Sequence, residues 1–175
     1  KTARKLNAFS EFGKELDSFC DAVSFGIAPG ILSYFLLSKY MPVKELAFPF
    51  SFFFMLCGVL RLVKFNLITE ASETKADFIG MPIPTAAGLV INYYIFSMTI
   101  FHEFRYVKVF FFLLVISSLL MVSLVTFKAP GKTFYFIPKK LLLPFALVIL
   151  ITLPYSFFPF LVIYALFNIL SYLQE

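Results

Sequence analysis

Long apolar runs with almost no charged residues alternate with short polar segments along the chain. Most of these runs are close to the ~20 residues that an α-helix needs to cross about 30 Å of hydrocarbon. They cover residues 22–38, 46–60, 86–101, 109–127, 141–153 and 155–173. The pattern predicts an all-α fold, a polytopic transmembrane helical bundle with about six spans. The run 141–153 is the weakest of the six because it is short.

The N-terminal residues 1–16 differ from these runs because their apolar positions form a helical stripe. The apolar residues recur at spacings of three and four, with Lys and Glu on the other side: Leu6, Phe9, Phe12 and Leu16. This spacing predicts an amphipathic helix that lies in the membrane interface and continues into the first span. Within that span the segment 26–30 holds two glycines and a proline, which should loosen the helix halfway across.

Composition and charge support the membrane assignment. Of the 175 residues 61% are hydrophobic, which is too apolar for an ordinary soluble domain. Eleven Lys and Arg residues lie on one side of the predicted spans and four on the other. Because basic residues collect in cytoplasmic loops, both termini should be cytoplasmic. We therefore expect an integral protein of a prokaryotic cytoplasmic membrane, in contact with membrane lipid. A nucleic-acid partner is not expected, since the basic residues are scattered over short loops.

Acidic residues stand one helical turn apart where the first span begins. Gly13, Asp17 and Asp21 drift by only about 40° per step of four residues, so they share one helix face. Two carboxylates at such a spacing repel unless a cation lies between them, and Mg²⁺ prefers carboxylate, water and phosphate oxygens. Gly13 leaves room for a phosphate or nucleotide. Alternatively, the acids form only a solvated helix start, with Lys14 as an ion-pair partner.

The spacing of five residues resembles a known family signature. Ala3, Arg4, Gly13, Asp17 and Asp21 fit A-R-x(8)-G-x(3)-D-x(3)-D, which resembles the second part of the signature of the CDP-alcohol phosphatidyltransferase family. The full signature begins D-x-x-D-G-x-x-A-R. We therefore expect an Asp-x-x-Asp-Gly segment directly before Lys1, and we interpret residues 1–175 as a fragment of a single membrane domain whose N-terminal helices carry that segment.

Two further segments resemble the phosphatidylserine synthase branch of that family. They are "DSFCDAVSFGIAPG" at 17–30 and "RLVKFN" with "FIGMPIPTAAGLV" within 61–90. The resemblance implies transfer of the phosphatidyl group from CDP-diacylglycerol to L-serine with release of CMP, using Mg²⁺ or Mn²⁺, in an enzyme that forms a homodimer. Lys64 stands where the branch has Arg, which keeps the charge but loses the planar bidentate fork.

The same resemblance implies roles for individual residues. Asp17 is a metal ligand, and Asp21 is the general base for the acceptor hydroxyl and a second metal ligand. Arg4 grips the diphosphate, although a contact with lipid headgroups is the alternative. Three other residues are implied to lie near the CDP-lipid: Thr2, Ala3 and Ser10.

Four polar residues further along the chain are also of interest. Three of them have a functional and a structural interpretation, and the fourth has only a structural one. Arg61 and Lys64 lie on one helix face and could hold the serine carboxylate or a lipid phosphate, or could simply flank the cytoplasmic end of a span. Ser24 could orient the acceptor or bond a helix carbonyl. Asn92 is expected to bond between helices.

Other functions compete with this interpretation. The same chemistry could use glycerol 3-phosphate or inositol phosphate as the acceptor. A cation-coupled transporter could also use paired intramembrane acids and a helix broken at 26–30. A structural membrane subunit would need neither carboxylate.

Overall fold

The computed structural model describes residues 11–71, 78–127 and 153–174. Helices dominate this part of the chain, as the apolar runs predict. In order, the elements are α1 (Glu11–Asp21), a π-helical turn (Ala22–Ile27), α2 (Ala28–Tyr40), a 3₁₀ turn (Lys44–Leu46), α3 (Ala47–Ala71), β1 (Phe78–Ile79), α4 (Ile83–Phe101), α5 (Val107–Val122), β2 (Thr126–Phe127) and α6 (Leu153–Gln174).

Three helical stretches are long and apolar enough to cross a membrane: Glu15–Tyr40, Lys44–Leu67 and Ile83–Phe101. Two shorter apolar helices, Val107–Val122 and Phe157–Leu173, lie in α5 and α6. The first three predicted runs are therefore confirmed as apolar helices of spanning length, and each helix extends beyond its predicted run. Residues 1–10 and most of the run 141–153 lie outside the described residues, so the interfacial helix and the count of six spans stay predictions.

The end of the fourth predicted span is wrong, because α5 stops at Val122 and not at residue 127. Ser123 is extended, and its hydroxyl donates to Leu120 O at 2.9 Å. The chain then forms β2, which pairs antiparallel with β1 through Phe78 opposite Phe127 and Ile79 opposite Thr126. This short ladder departs from the predicted all-α fold. It arises because segments that leave the helices need partners for their backbone groups.

The first transmembrane stretch packs closely and antiparallel against α3. A Cβ atom placed on Gly58 would lie 3.5 Å from the Cα of Gly26 and 3.0 Å from Ile83 Cδ1. One turn further on, a Cβ atom on Gly30 would clash with the Met55 side chain. Small residues at such positions let the backbones of membrane helices approach. The two helices therefore approach each other closely between Gly26 and Gly30.

The helix distortion predicted at 26–30 lies earlier, as a π-helical turn at Ala22–Ile27, and residues 28–30 begin the regular helix α2. Proline has no N–H for the helix ladder, and its ring collides with the carbonyl four residues earlier, so a wider turn relieves the strain. Between Ser18 and buried Leu37 a regular α-helix would rotate through five full turns plus about 100°, so the two side chains would point in different directions. One wider turn takes up this excess and keeps α1 and α2 facing the same side of the bundle.

Helices α4, α5 and α6 complete the core. Gly88 of α4 faces Leu161 of α6, and a cluster of aromatic rings fills the end of the bundle near the α4–α5 turn, with Tyr93 against Phe104 and Phe158. Tyr93 Oη donates to Arg105 O at 3.0 Å, which ties this turn to α4. The expectation for Asn92 is wrong, because its Nδ2 donates to Gly88 O of its own helix at 2.7 Å.

Candidate active site

Asp17 and Asp21 lie on α1, one turn apart. The carboxylate of Asp21 is close enough to that of Asp17 for their negative charges to repel each other. Asp17 is exposed, and Asp21 is half-buried where α1 meets the π-helical turn. The helix periodicity therefore placed the two acids correctly relative to each other. Their chemical roles are a separate matter and stay predictions.

Arg61 of α3 lies beside this acid pair. Its side chain is only 5% exposed, and its positive charge acts on Asp21 from the neighbouring helix. Its Nε donates to Met81 O at 3.3 Å, and its guanidinium lies 4.9 Å from the centre of the Phe65 ring. Arg61 is thus more than a flank of its span, because it joins α1, α3 and the segment before α4.

Lys64, one turn after Arg61, contacts a different part of the bundle. Its Nζ donates to Ser123 O at 3.2 Å and to Val122 O at 3.4 Å. A cation that binds the last carbonyls of a helix satisfies free acceptors and interacts favourably with the helix dipole. Lys64 is therefore a cap for the C-terminus of α5.

A hydrogen bond that the sequence analysis missed links α3 to α1. Asn66 Nδ2 donates to Ser18 Oγ at 3.1 Å, and both side chains are partly buried. Ser18 lies in the turn between Asp17 and Asp21. The available signal was an amide in the apolar helix α3, since such groups usually find partners across a helix interface.

The other predicted site residues are less closely tied to this cluster. Gly13 is exposed on the same face of α1, and Ser24 is exposed on the π-helical turn. Four of the residues implied to contact the CDP-lipid lie outside the described residues: Thr2, Ala3, Arg4 and Ser10. The structure thus brings together Asp17, Asp21 and Arg61, with Lys64 one turn away.

The donors present suit part of a magnesium or manganese site. Within 11–71, 78–127 and 153–174 no group of three or more His, Cys, Asp or Glu residues could hold a metal ion. Two carboxylates are nevertheless a usual protein contribution for Mg²⁺, which keeps several waters and binds substrate phosphates in its remaining positions. The pair Asp17 and Asp21 therefore fits a divalent cation that is shared with a phosphate-bearing substrate.

Comparison with known proteins identifies the family. The sequence model for CDP-alcohol phosphatidyltransferase matches residues 1–123. The chain belongs to the CDP-alcohol phosphatidyltransferase family. Residues 13, 17 and 21, with their neighbour Arg61, lie inside the matched segment, whereas α6 lies beyond it.

Several relatives carry the same name. The chain is 46% identical over 89 residues to the CDP-diacylglycerol–serine O-phosphatidyltransferase of Bacillus subtilis, an alignment that covers 51% of this chain and 48% of the relative. It is 36% identical over 124 residues to that of Helicobacter pylori, covering 70% and 51%. It is 32% identical over 173 residues to that of Methanocaldococcus jannaschii, covering 98% and 76%. The chain spans about half the length of the first two of these relatives.

Proposed function

We propose that the complete protein transfers the phosphatidyl group of CDP-diacylglycerol to L-serine, giving phosphatidylserine and CMP. The family assignment supports the reaction type, and the names of the relatives support serine as the acceptor. The observation that carries the proposal is the juxtaposition of Asp17, Asp21 and Arg61 on two packed helices. Glycerol 3-phosphate and inositol phosphate remain the alternative acceptors.

The reaction forms a bond between the serine hydroxyl oxygen and the lipid-bearing phosphorus and breaks the bond from that phosphorus to CMP. Bound Mg²⁺ or Mn²⁺ would stabilise negative charge on the diphosphate. In our proposal exposed Asp17 and half-buried Asp21 would hold the cation, and Asp21 would also accept the proton of the serine hydroxyl. Arg61 supplies a positive charge beside Asp21, and Gly13 leaves space for the nucleotide.

Residues beyond this cluster complete the proposed substrate site. Arg4 would bind the diphosphate, with Thr2, Ala3 and Ser10 near the cytidine and its phosphates. Ser24, exposed on the turn after Asp21, would orient serine. For Lys64 the capping of α5 is the better-supported role, because the Nζ already donates to two carbonyls. Homodimer formation stays a prediction, as does the absence of a nucleic-acid partner.

Membrane placement follows from the same proposal. The chain is an integral membrane protein, with helices of spanning length and membership in a family of membrane enzymes. We propose that the acid pair faces the cytoplasm of a prokaryotic cell, because Lys and Arg concentrate at that end of the helices. A lipid substrate could then enter sideways from the bilayer while serine arrives from the aqueous side.

Measuring CMP release by the purified complete protein with Mn²⁺ and CDP-diacylglycerol tests the function. We expect release with L-serine and much less with glycerol 3-phosphate or inositol phosphate. Asp17→Asn and Asp21→Asn should each lower the rate by about 10²–10⁴-fold, the range expected when a positioned acid–base group is lost. Glu45→Gln, which removes an exposed carboxylate from the far end of the bundle, should leave the rate unchanged.

The outcomes separate the competing functions. Release with glycerol 3-phosphate but not with serine would show that the acceptor is wrong while the chemistry is right. An absence of release with every acceptor would reject the enzyme proposal. Cation-driven solute uptake by vesicles containing such an inactive protein would instead favour a transporter.

A further inference from the structure

The hydrogen bond between Asn66 and Ser18 meets α1 between its two acidic residues. Its 3.1 Å contact joins α3 to the one helical turn that carries both acids. Neither residue has been given a role in the proposed reaction.

Helix geometry relates the direction of Ser18 to the directions of the two acids. At about 100° per residue, Asp17 lies about 100° around the helix from Ser18, and Asp21 lies about 60° from it on the same side. With Ser18 directed at α3, Asp21 should flank the interface and Asp17 should point away from it. The structure agrees, since Asp21 is half-buried beside Arg61 and Asp17 is exposed.

The close packing contacts of the first transmembrane stretch lie beyond α1 itself. The close approach of Gly26 to Gly58 lies within the π-helical turn, after both acids in the chain. Asp17 lies nine residues before Gly26, more than two helical turns away along the chain. A side-chain hydrogen bond on α1 itself is better placed to set the direction of its acidic face.

We propose that Asn66 and Ser18 are positioning residues that hold α1 at the rotation in which Asp17 and Asp21 can share one divalent cation. The inference rests on the proposed function for its catalytic consequence, but cation binding can be measured without any reaction. Residues that orient metal ligands typically change metal affinity or activity by about 10–100-fold when they are mutated.

The test measures Mn²⁺ binding by electron paramagnetic resonance on the purified complete protein, together with CMP release and thermal unfolding. Ser18→Ala and Asn66→Leu should each weaken Mn²⁺ binding by about 10-fold or more and lower kcat more than they raise KM for serine. The double variant should bind Mn²⁺ no more weakly than the more impaired single variant, because both substitutions remove the same hydrogen bond. Ser18→Thr, which keeps the hydroxyl, should bind Mn²⁺ like the wild type.

Asn92→Leu is the matched control, since Asn92 is also an amide in an apolar helix but bonds to its own helix. It should leave Mn²⁺ binding unchanged. The inference is overturned if Ser18→Ala and Asn66→Leu bind Mn²⁺ like the wild type, if their effects add in the double variant, or if the wild type binds no Mn²⁺. If Mn²⁺ binding responds as expected but no acceptor yields CMP, the proposed function fails and this inference stands.

Discussion

Arg61 and Lys64 occupy successive turns of α3, yet their contacts lead in different directions. Arg61 is buried between Asp21 and the carbonyl of Met81, whereas Lys64 reaches the carbonyl end of α5 at Ser123. A buried guanidinium must be paired or hydrogen-bonded to offset its loss of hydration. The charge of Asp21 and the Met81 carbonyl both serve this purpose. The acid pair and the fold around it therefore depend on the same arginine.

Replacing Arg61 should affect stability and activity together. Arg61→Met removes the Nε donor and leaves Asp21 without its neighbouring positive charge, and losing a hydrogen bond from a charged donor should cost about 1.5–3 kcal/mol. Arg61→Lys keeps the charge but not the guanidinium geometry, so its effect should be smaller. Unfolding in detergent, followed by circular dichroism, measures the first effect, and CMP release measures the second.

Arg105→Met provides the comparison for this experiment. Arg105 is exposed at the opposite end of the bundle, with its Nε 3.6 Å from Glu103 Oε1. An exposed ion pair of this kind contributes about 0–1 kcal/mol, so the variant should resemble the wild type. Equal losses of stability in Arg61→Met and Arg105→Met would contradict the role assigned to Arg61.

Single residues differed in how well the sequence predicted them. The relation between Asp17 and Asp21 follows from helix periodicity alone, and the structure places them together. Arg61 and Lys64 each donate to main-chain carbonyls, which every residue possesses, so no sequence pattern distinguishes these acceptors. Asn66 and Asn92 are equally suited to bond between helices. Only the arrangement of the bundle decides that Asn66 meets Ser18 while Asn92 turns to its own helix.

The segment between α3 and α4 depends on a tight turn against the end of α5. Gly80 has φ of +83°, its N–H donates to Val125 O at 2.8 Å, and the N–H of Met81 donates to Leu120 O at 2.9 Å. These bonds and the short β1–β2 ladder hold Met81 where Arg61 can reach it. The turn thus connects an element of the fold to a residue beside the acid pair.

Gly80→Ala should destabilise this turn for two reasons. A side chain is strained at positive φ, and the new Cβ would lie 2.5 Å from Met121 O, a main-chain atom that cannot move aside easily. We expect a loss of about 1–3 kcal/mol in unfolding free energy. Gly88→Ala is the control, because its Cβ would meet the flexible end of Leu161 and alanine favours a helix. Comparable losses in both variants would show that the turn has no special requirement.

The helices were predictable where the sequence forms a continuous apolar run. The runs at 22–38, 46–60 and 86–101 became helices because an apolar run in a membrane satisfies its backbone most readily in that form. The boundary of α5 was missed because Ser123, Lys64 and the β1–β2 ladder determine it through contacts distant in sequence. Pro29 and its neighbouring glycines signalled a distortion of the first span, but not that it would be a π-helical turn.

At the scale of the whole molecule, the described bundle has two polar ends of different character. One end joins α1, α3, α4 and α5 through side chains that bind main-chain carbonyls and each other, and it includes the acid pair. The other end closes the turn between α4 and α5 through the Tyr93 and Ser97 hydroxyls, surrounded by aromatic rings. The proposed reaction can therefore take place on only one side of the membrane.

Cysteine labelling can determine which side that is. Leu124 lies near the end that holds the acid pair and is 70% exposed, whereas Glu103 lies in the α4–α5 turn with its side chain 66% exposed. In a protein with Cys20→Ser and Cys57→Ala, a membrane-impermeant maleimide applied to intact spheroplasts should label Glu103→Cys and spare Leu124→Cys. Inverted vesicles should give the opposite result, since basic residues retain their segments in the cytoplasm. Labelling of Leu124→Cys in spheroplasts would place the acid pair outside the cell, where cytoplasmic serine could not reach it.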